Sequence, residues 1–145
     1  MKAITLTQPW ASLIAIGAKR IETRSWAPWH TGPLAIHAAK AFPREAQDLC
    51  MEQPFHSALH AGGIPSYVYL PRGVVVATCM LVNCIRVEDL TPLIGNPEPS
   101  ELERAFGNYD SGRWAWILAD VVPLTPPVPA RGALGLWEWS LPEAG

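Results

Sequence analysis

Residues 73–86, Gly-Val-Val-Val-Ala-Thr-Cys-Met-Leu-Val-Asn-Cys-Ile-Arg, constrain the fold more than any other stretch. The run is β-branched and apolar at both parities: Val74, Val76, Met80 and Val82 on one side, Val75, Ala77, Cys79 and Leu81 on the other. A strand with two apolar faces must be covered on both. It is therefore expected at the centre of a sheet, long and bent, and it is far too short to span a bilayer. With 145 residues, 49% apolar and 17% charged, the chain suits one domain with a sizeable core.

The flanking segments supply partners for that strand. Residues 3–7 alternate as a first strand. Gln8-Pro9-Trp10 then starts a short helix, with Trp10, Leu13, Ile14 and Gly17 on one face and Gly17 as its stop. Residues 20–25 read as extended, and 26–33 as a loop marked by two prolines and a glycine. Residues 34–38 form another strand, and Pro43 opens a helix to Met51. Residues 52–66 are ambiguous, and 44–70 as a whole read as an insert. Beyond the central strand come an acidic, proline-marked connection (88–99) and a short helix ending at Gly107. A strand over 113–121 follows, then a proline-rich extended crossing (123–129), a turn (131–135) and a closing strand (136–141). The expectation is an α+β fold in a single unit, residues 1–145: a small mixed β-barrel of five to six strands decorated with short helices.

Charge narrows the function classes. The net charge of −2 excludes a strongly basic, nonspecific nucleic-acid coat. Residues 1–44 nevertheless hold Lys2, Lys19, Arg20, Arg24, Lys40 and Arg44 against Glu22 alone, so one end can steer anions. The three cysteines, Cys50, Cys79 and Cys84, have no CxxC spacing, which argues against a zinc site or a disulfide framework. No metal or cofactor is expected. His56 and His60 share a helical spacing but lack a third ligand. No membrane-spanning run or cleavable signal is visible, and the expected compartment is the cytoplasm.

The densest chemistry lies in residues 17–26, which place Lys19, Arg20, Glu22, Arg24, Ser25 and Trp26 directly after an apolar helix. Charges there need partners or water. A surface ion-pair strand accommodates them, and so does the wall of a polar cleft. Lys19 and Arg24 suit phosphate or carbonyl oxygens, and Glu22 suits an exocyclic amine or a base role. Gln8 at the helix start can read a base edge. Trp26 and Trp29 offer stacking surfaces. His37, Lys40, Arg113 and Arg131 complete the candidate binding set.

Four segments resemble the ASCH family, a branch of the PUA-like barrels: 6–13 (LTQPWASL), Gly17-x-Lys19-x-x-Glu22-x-Arg24, 32–40 (GPLAIHAAK), and 112–116 (GRWAW) with 131–137 (RGALGLW). The resemblance implies a PUA-like barrel with a cleft beside the first helix, where family members bind RNA or other nucleic acid. Some small members hydrolyse acylated cytidine with a Lys, a Thr and a Glu. Lys19 matches that Lys. Glu22 stands where the Thr falls, and Thr78 is nearest to the expected Glu, so the catalytic trio is not reproduced. The leading expectation is a module for RNA or single-stranded nucleic acid, or a modified nucleoside, using that basic cleft. The alternative is a small hydrolase of modified nucleosides or RNA, with Lys19 and Glu22 catalytic. A protein-interaction role through exposed indoles is a third reading.

Overall fold

The computed structural model describes residues 1–143. Six strands form one mixed sheet: β1 (Lys2–Leu6), β2 (Ile21–Arg24), β3 (Gly32–Ala38), β4 (Val74–Arg86), β5 (Trp114–Pro129) and β6 (Leu136–Glu138). Their order is β2-β5-β4-β3-β1-β6. β1 and β3 run parallel, and the other neighbours are antiparallel. The helices are α1 (Trp10–Ala15), α2 (Arg44–Leu49), α3 (Phe55–Ala61) and α4 (Glu101–Ala105).

The expected central strand is β4, flanked by β3 and β5. Its register against β5 shifts at three places, Val75/Ala77, Thr78/Met80 and Leu81/Asn83. Each irregularity bends the pair and adds twist. The sheet therefore curls into a half-barrel. It does not close, because β2 and β6 end the order without pairing with each other. The expected α+β fold, a small mixed barrel-like sheet of six strands decorated with short helices, is the one observed. One correction concerns residues 123–129, which continue β5 rather than cross between elements: Pro123 lies opposite Ala77 and Pro129 opposite Val74. Proline is tolerated there because β2 covers only Trp114–Ile117. Beyond Leu118, whose N donates to Arg20 O at 3.1 Å, one side of β5 is a free edge among the described residues and needs no donors.

α1 fills the curl. Ala11 and Ile14 pack with Ile4, Leu34, Ile36, Leu81 and Trp116 on the sheet. Leu13 faces the other way, into a second core with Cys50, Phe55, Leu59, Leu70 and Phe106. The single apolar face expected for this helix is therefore two, since helices packed outside it cover what would have met water. Leu13 and Ile14 are fully buried, each contributing about 1.5–3 kcal/mol. Gly17, at φ +82°, ends the helix, and Leu13 O accepts from both Ala18 N and Lys19 N at 3.0 Å. That tight reversal turns Lys19 inward.

The 44–70 segment folds against α1 as α2, α3 and a single 3-10 turn at Tyr67–Tyr69. No helix of the described residues is long and apolar enough to cross a membrane. At the α1–α3 contact, a Cβ added to Gly62 would lie 2.5 Å from Ile16 Cδ1 and 3.0 Å from Ile16 Cβ. Gly62→Ala is expected to destabilise the protein by about 1–3 kcal/mol through overpacking. Urea unfolding measures it, and an unchanged midpoint would show that α3 does not bear on α1 this closely.

Candidate functional site

β2 builds the first cleft. Its alternation buries Ile21 and Thr23 and leaves Glu22 and Arg24 half-buried. The cleft holds about 480 Å³, with Trp10, Leu49, Phe55 and Phe106 on one wall and Glu22, Arg24, Asn108 and Arg113 among its polar lining. Glu22 is the hub. Its Oε2 is 3.2 Å from Arg24 Nε, and its Oε1 is 3.8 Å from Lys19 Nζ. Oε1 also accepts from Thr23 N at 3.1 Å. Arg24 Nε is buried and not aligned for a hydrogen bond to any described residue, so its contact with Glu22 is an ion pair only. The guanidinium is steadied at the other end, where Nη2 donates to Thr5 O at 3.1 Å.

Lys19 stands behind this wall, with no exposed surface. Its Nζ donates to Ile21 O at 2.5 Å. Burial lowers its pKa, Glu22 and Glu103 pull it back up, and Arg24 adds to the lowering. Gly107, which lines the cleft, covers the ammonium: a Cβ there would lie 3.5 Å from Nζ and 3.3 Å from Thr23 Oγ1. Lys19 therefore charges the cleft from beneath rather than from its surface.

The residue that the sequence reasoning missed is Glu103. Its carboxylate accepts from Arg20 N at 3.0 and 3.1 Å and from Ile21 N at 2.8 Å, anchoring α4 to the start of β2. Ser100-x-x-Glu103 has the spacing of a capping box. Ser100 Oγ does accept from Glu103 N, at 3.1 Å. The Glu, instead of returning to its own helix, serves the neighbouring strand. The capping pattern was the signal, and only the fold redirects it. Nearby, the Tyr109 hydroxyl is buried without a partner among the described residues. Burial pushes that phenol well above its ordinary range, and Glu103 adds to the shift.

Arg113 ties the turn after α4 to β2. Its Nε donates to Asn108 O and its Nη2 to Thr23 O, each at 3.1 Å, while Thr23 Oγ1 accepts from Asn108 N at 3.2 Å. Both partners of the guanidinium are neutral carbonyls, and no carboxylate among the described residues pairs with it.

The other candidates do not join this cleft. Gln8 is fully buried. It accepts from Ser12 N at 3.0 Å and donates to Ser12 Oγ at 2.8 Å and Pro71 O at 2.7 Å. Its amide is spent capping α1, a task that Pro9 at the cap position cannot perform, so no part of it is left for a base edge. Ser25 is exposed at a bend. Trp26 packs edge-on against Trp116 at 5.0 Å and lines a separate hollow with Trp29. His37 is buried, between Thr5 Oγ1 at 3.1 Å and Ala130 O at 2.8 Å. The Ala130 carbonyl can only accept, so His37 Nε2 carries the proton, and in the neutral ring Nδ1 accepts from the Thr5 hydroxyl. Lys40 and Arg131 line a second groove on the far side of Thr5.

Nothing among the described residues resembles a metal cluster. His56 and His60 merely stack, with ring centres 6.3 Å apart. Burial holds the thiols of Cys50 and Cys84 at about 11 and of Cys79 at about 12, too high for nucleophiles.

The model of the ASCH domain matches residues 4–128. The chain belongs to the ASCH family. Among known proteins, this ASCH chain is 33% identical over 84 residues to activating signal cointegrator 1 of Homo sapiens, a stretch amounting to 57% of this chain and 14% of that protein. The Mus musculus protein of the same name is 32% identical over an equal stretch, again 14% of its length. The match thus spans a small part of either relative. Among solved structures, the ASCH protein of Zymomonas mobilis aligns with 88% of this chain and 72% of its own, with a TM-score of 0.48 and 19% identity. A point mutant of that protein aligns with 88% and 74%, at the same score and identity.

Two expectations follow for the buried lysine. Lys19→Ala removes the donor to the Ile21 carbonyl and one of the two cations beside Glu22 and leaves a cavity, and is expected to cost about 2–5 kcal/mol. Lys19→Met, which keeps the volume, loses less. Because burial lowers the folded-state pKa below the ordinary 10.5, the unfolded chain takes up the proton first as pH falls. Stability linked to Lys19 is fullest above 10.5 and is lost as pH drops through the lowered value. The stability of wild type relative to Lys19→Met should therefore rise as pH is raised toward 10.5, read by urea unfolding of both. Shifts from Tyr109 and the thiols cancel in the difference. A pH-independent difference would mean that Lys19 titrates as in water.

Proposed function

We propose that this ASCH domain binds RNA or single-stranded nucleic acid, one base entering the cleft beside α1. One observation carries the reading: a single cleft combines an aromatic wall with two guanidiniums, one of them held only by backbone carbonyls. Trp10 offers a stacking surface. Glu22 can accept from an exocyclic amine or ring N–H, and Arg24 and Arg113 face the phosphate. Unpaired bases suit such a cleft because their faces and pairing edges are free. Residues 1–145 act as one unit in this reading. The 44–70 segment is a family-variable insert that shapes the cleft by contributing Leu49 and Phe55.

Arg113→Ala should weaken binding to all single strands and lower the salt slope, log K against log [salt], by about 0.7. Glu22→Gln should instead change the preference among bases. Fluorescence anisotropy over a KCl series tests both. Absence of salt-dependent binding to any RNA or single-stranded DNA would end the proposal.

The hydrolase reading rests on Lys19 Nζ lying 3.8 Å from Glu22 Oε1 beneath the thin cover of Gly107. A screen of acylated nucleosides and RNA tests it. Turnover that survives both Glu22→Gln and Lys19→Met removes this pair from any mechanism.

A further inference from the structure

The second groove holds about 1130 Å³ on the far side of β1, and Lys40, Arg72 and Arg131 all line it. All three are exposed, and none forms an ion pair among the described residues. No carboxylate lines the groove. The backbone explains why three cations from distant parts of the chain meet here. Gly73 N donates to Ala38 O at 2.8 Å, and Ala130 N donates to Gly73 O at 3.1 Å. Lys40, Arg72 and Arg131 each stand within two residues of that one junction.

The junction is closely packed. His37 holds Ala130 O, and Gly132 lies so close on the Thr5–His37 pair that a Cβ there would come within 2.7 Å of Thr5 Oγ1 and 2.8 Å of His37 Cε1. His37 is therefore a positioning residue for Arg131. Like charges gathered without counter-charge repel one another, and a polyanion laid along them relieves that repulsion.

The groove and the cleft are neighbours along β1 and the residue after it. Thr5 lines the groove, and Leu6 and Thr7 line the cleft. Arg24, on the cleft side, donates to the Thr5 carbonyl between the two.

We infer that the groove carries the sugar-phosphate backbone of the same single strand whose base occupies the cleft. The strand turns past Arg24 and Thr5 and lays successive phosphates on Lys40, Arg72 and Arg131. This inference rests on the nucleic-acid reading of the cleft and deepens it. In this reading the two hollows serve one strand. Small residues, Ala39, Ala41 and Ala133, also line the groove and leave room for a strand.

The test measures anisotropy of a labelled oligouridylate over a KCl series with wild type, the triple variant Lys40→Gln/Arg72→Gln/Arg131→Gln, and the charge-keeping Lys40→Arg/Arg72→Lys/Arg131→Lys. Loss of three phosphate contacts should lower the salt slope by about 2, and the charge-keeping variant should retain the wild-type slope. Thermal unfolding confirms that each variant folds, as exposed substitutions should. Wild-type binding with an unchanged slope in the Gln variant overturns the inference and leaves the cleft reading standing. No oligouridylate, RNA or DNA binding by wild type overturns both. A slope lost equally in the charge-keeping variant also overturns the inference, because the effect would then not be one of charge.

Discussion

The structure depends on the burial of one ammonium. Lys19 has no exposed surface, so its charge must be answered within the fold, and it is answered from three sides: the Ile21 carbonyl, Glu22 and, more remotely, Glu103. Each partner belongs to something that must be in place. Ile21 and Glu22 require β2 to be extended, and Glu103 requires α4 to dock on the first backbone N–H groups of that strand. A buried ion pair gives little net stability over a well-packed apolar substitute, but breaking one is expensive. The constellation therefore acts as a registration device, fixing where β2 sits against α1, α4 and β5.

That registration produces the cleft. With β2 held, alternation sends Glu22 and Arg24 toward the hollow beside α1, and Arg113 reaches across from the start of β5 to the Thr23 carbonyl. α1 separates two cores, one on the sheet and one against α2 and α3, so Trp10 stays between the aromatic cluster and the cleft. Near the C-terminal end of β1, Thr5 lines the basic groove, with its carbonyl on Arg24 of the cleft and its hydroxyl between His37 and Trp137.

Much of the fold was legible in advance. β4 announced itself by having two apolar faces, Gly17 by ending a periodic apolar turn, and α4 by its stop at Gly107. Position in the sheet was less visible. The prolines of 123–129 argued against a paired strand, yet they pair, because whether an edge is free depends on how far β2 reaches and not on the local sequence. The candidate site was legible as residue types but not as a constellation. Gln8 looked like a ligand reader because an amide before a helix can face either way. Packing against Ser12 and Pro71 turned it inward. His37 looked like a site histidine and is instead a strut.

What the sequence determined by itself is local: where strands and helices begin, which residues alternate, and that a charged decapeptide must follow an apolar helix. These depend on interactions within a few residues. The tertiary structure alone decided which of those charges meet water. Lys19, Arg24, Lys40 and Arg131 are equivalent as cations in the chain. One is buried beneath a cleft, one is half-buried in its wall, and two line a separate groove. The cause is long-range: the contacts that sort them, Glu103 to β2 and Ala130 to Gly73, join residues more than fifty positions apart, and the cost of desolvating a charge depends on what those contacts bring beside it.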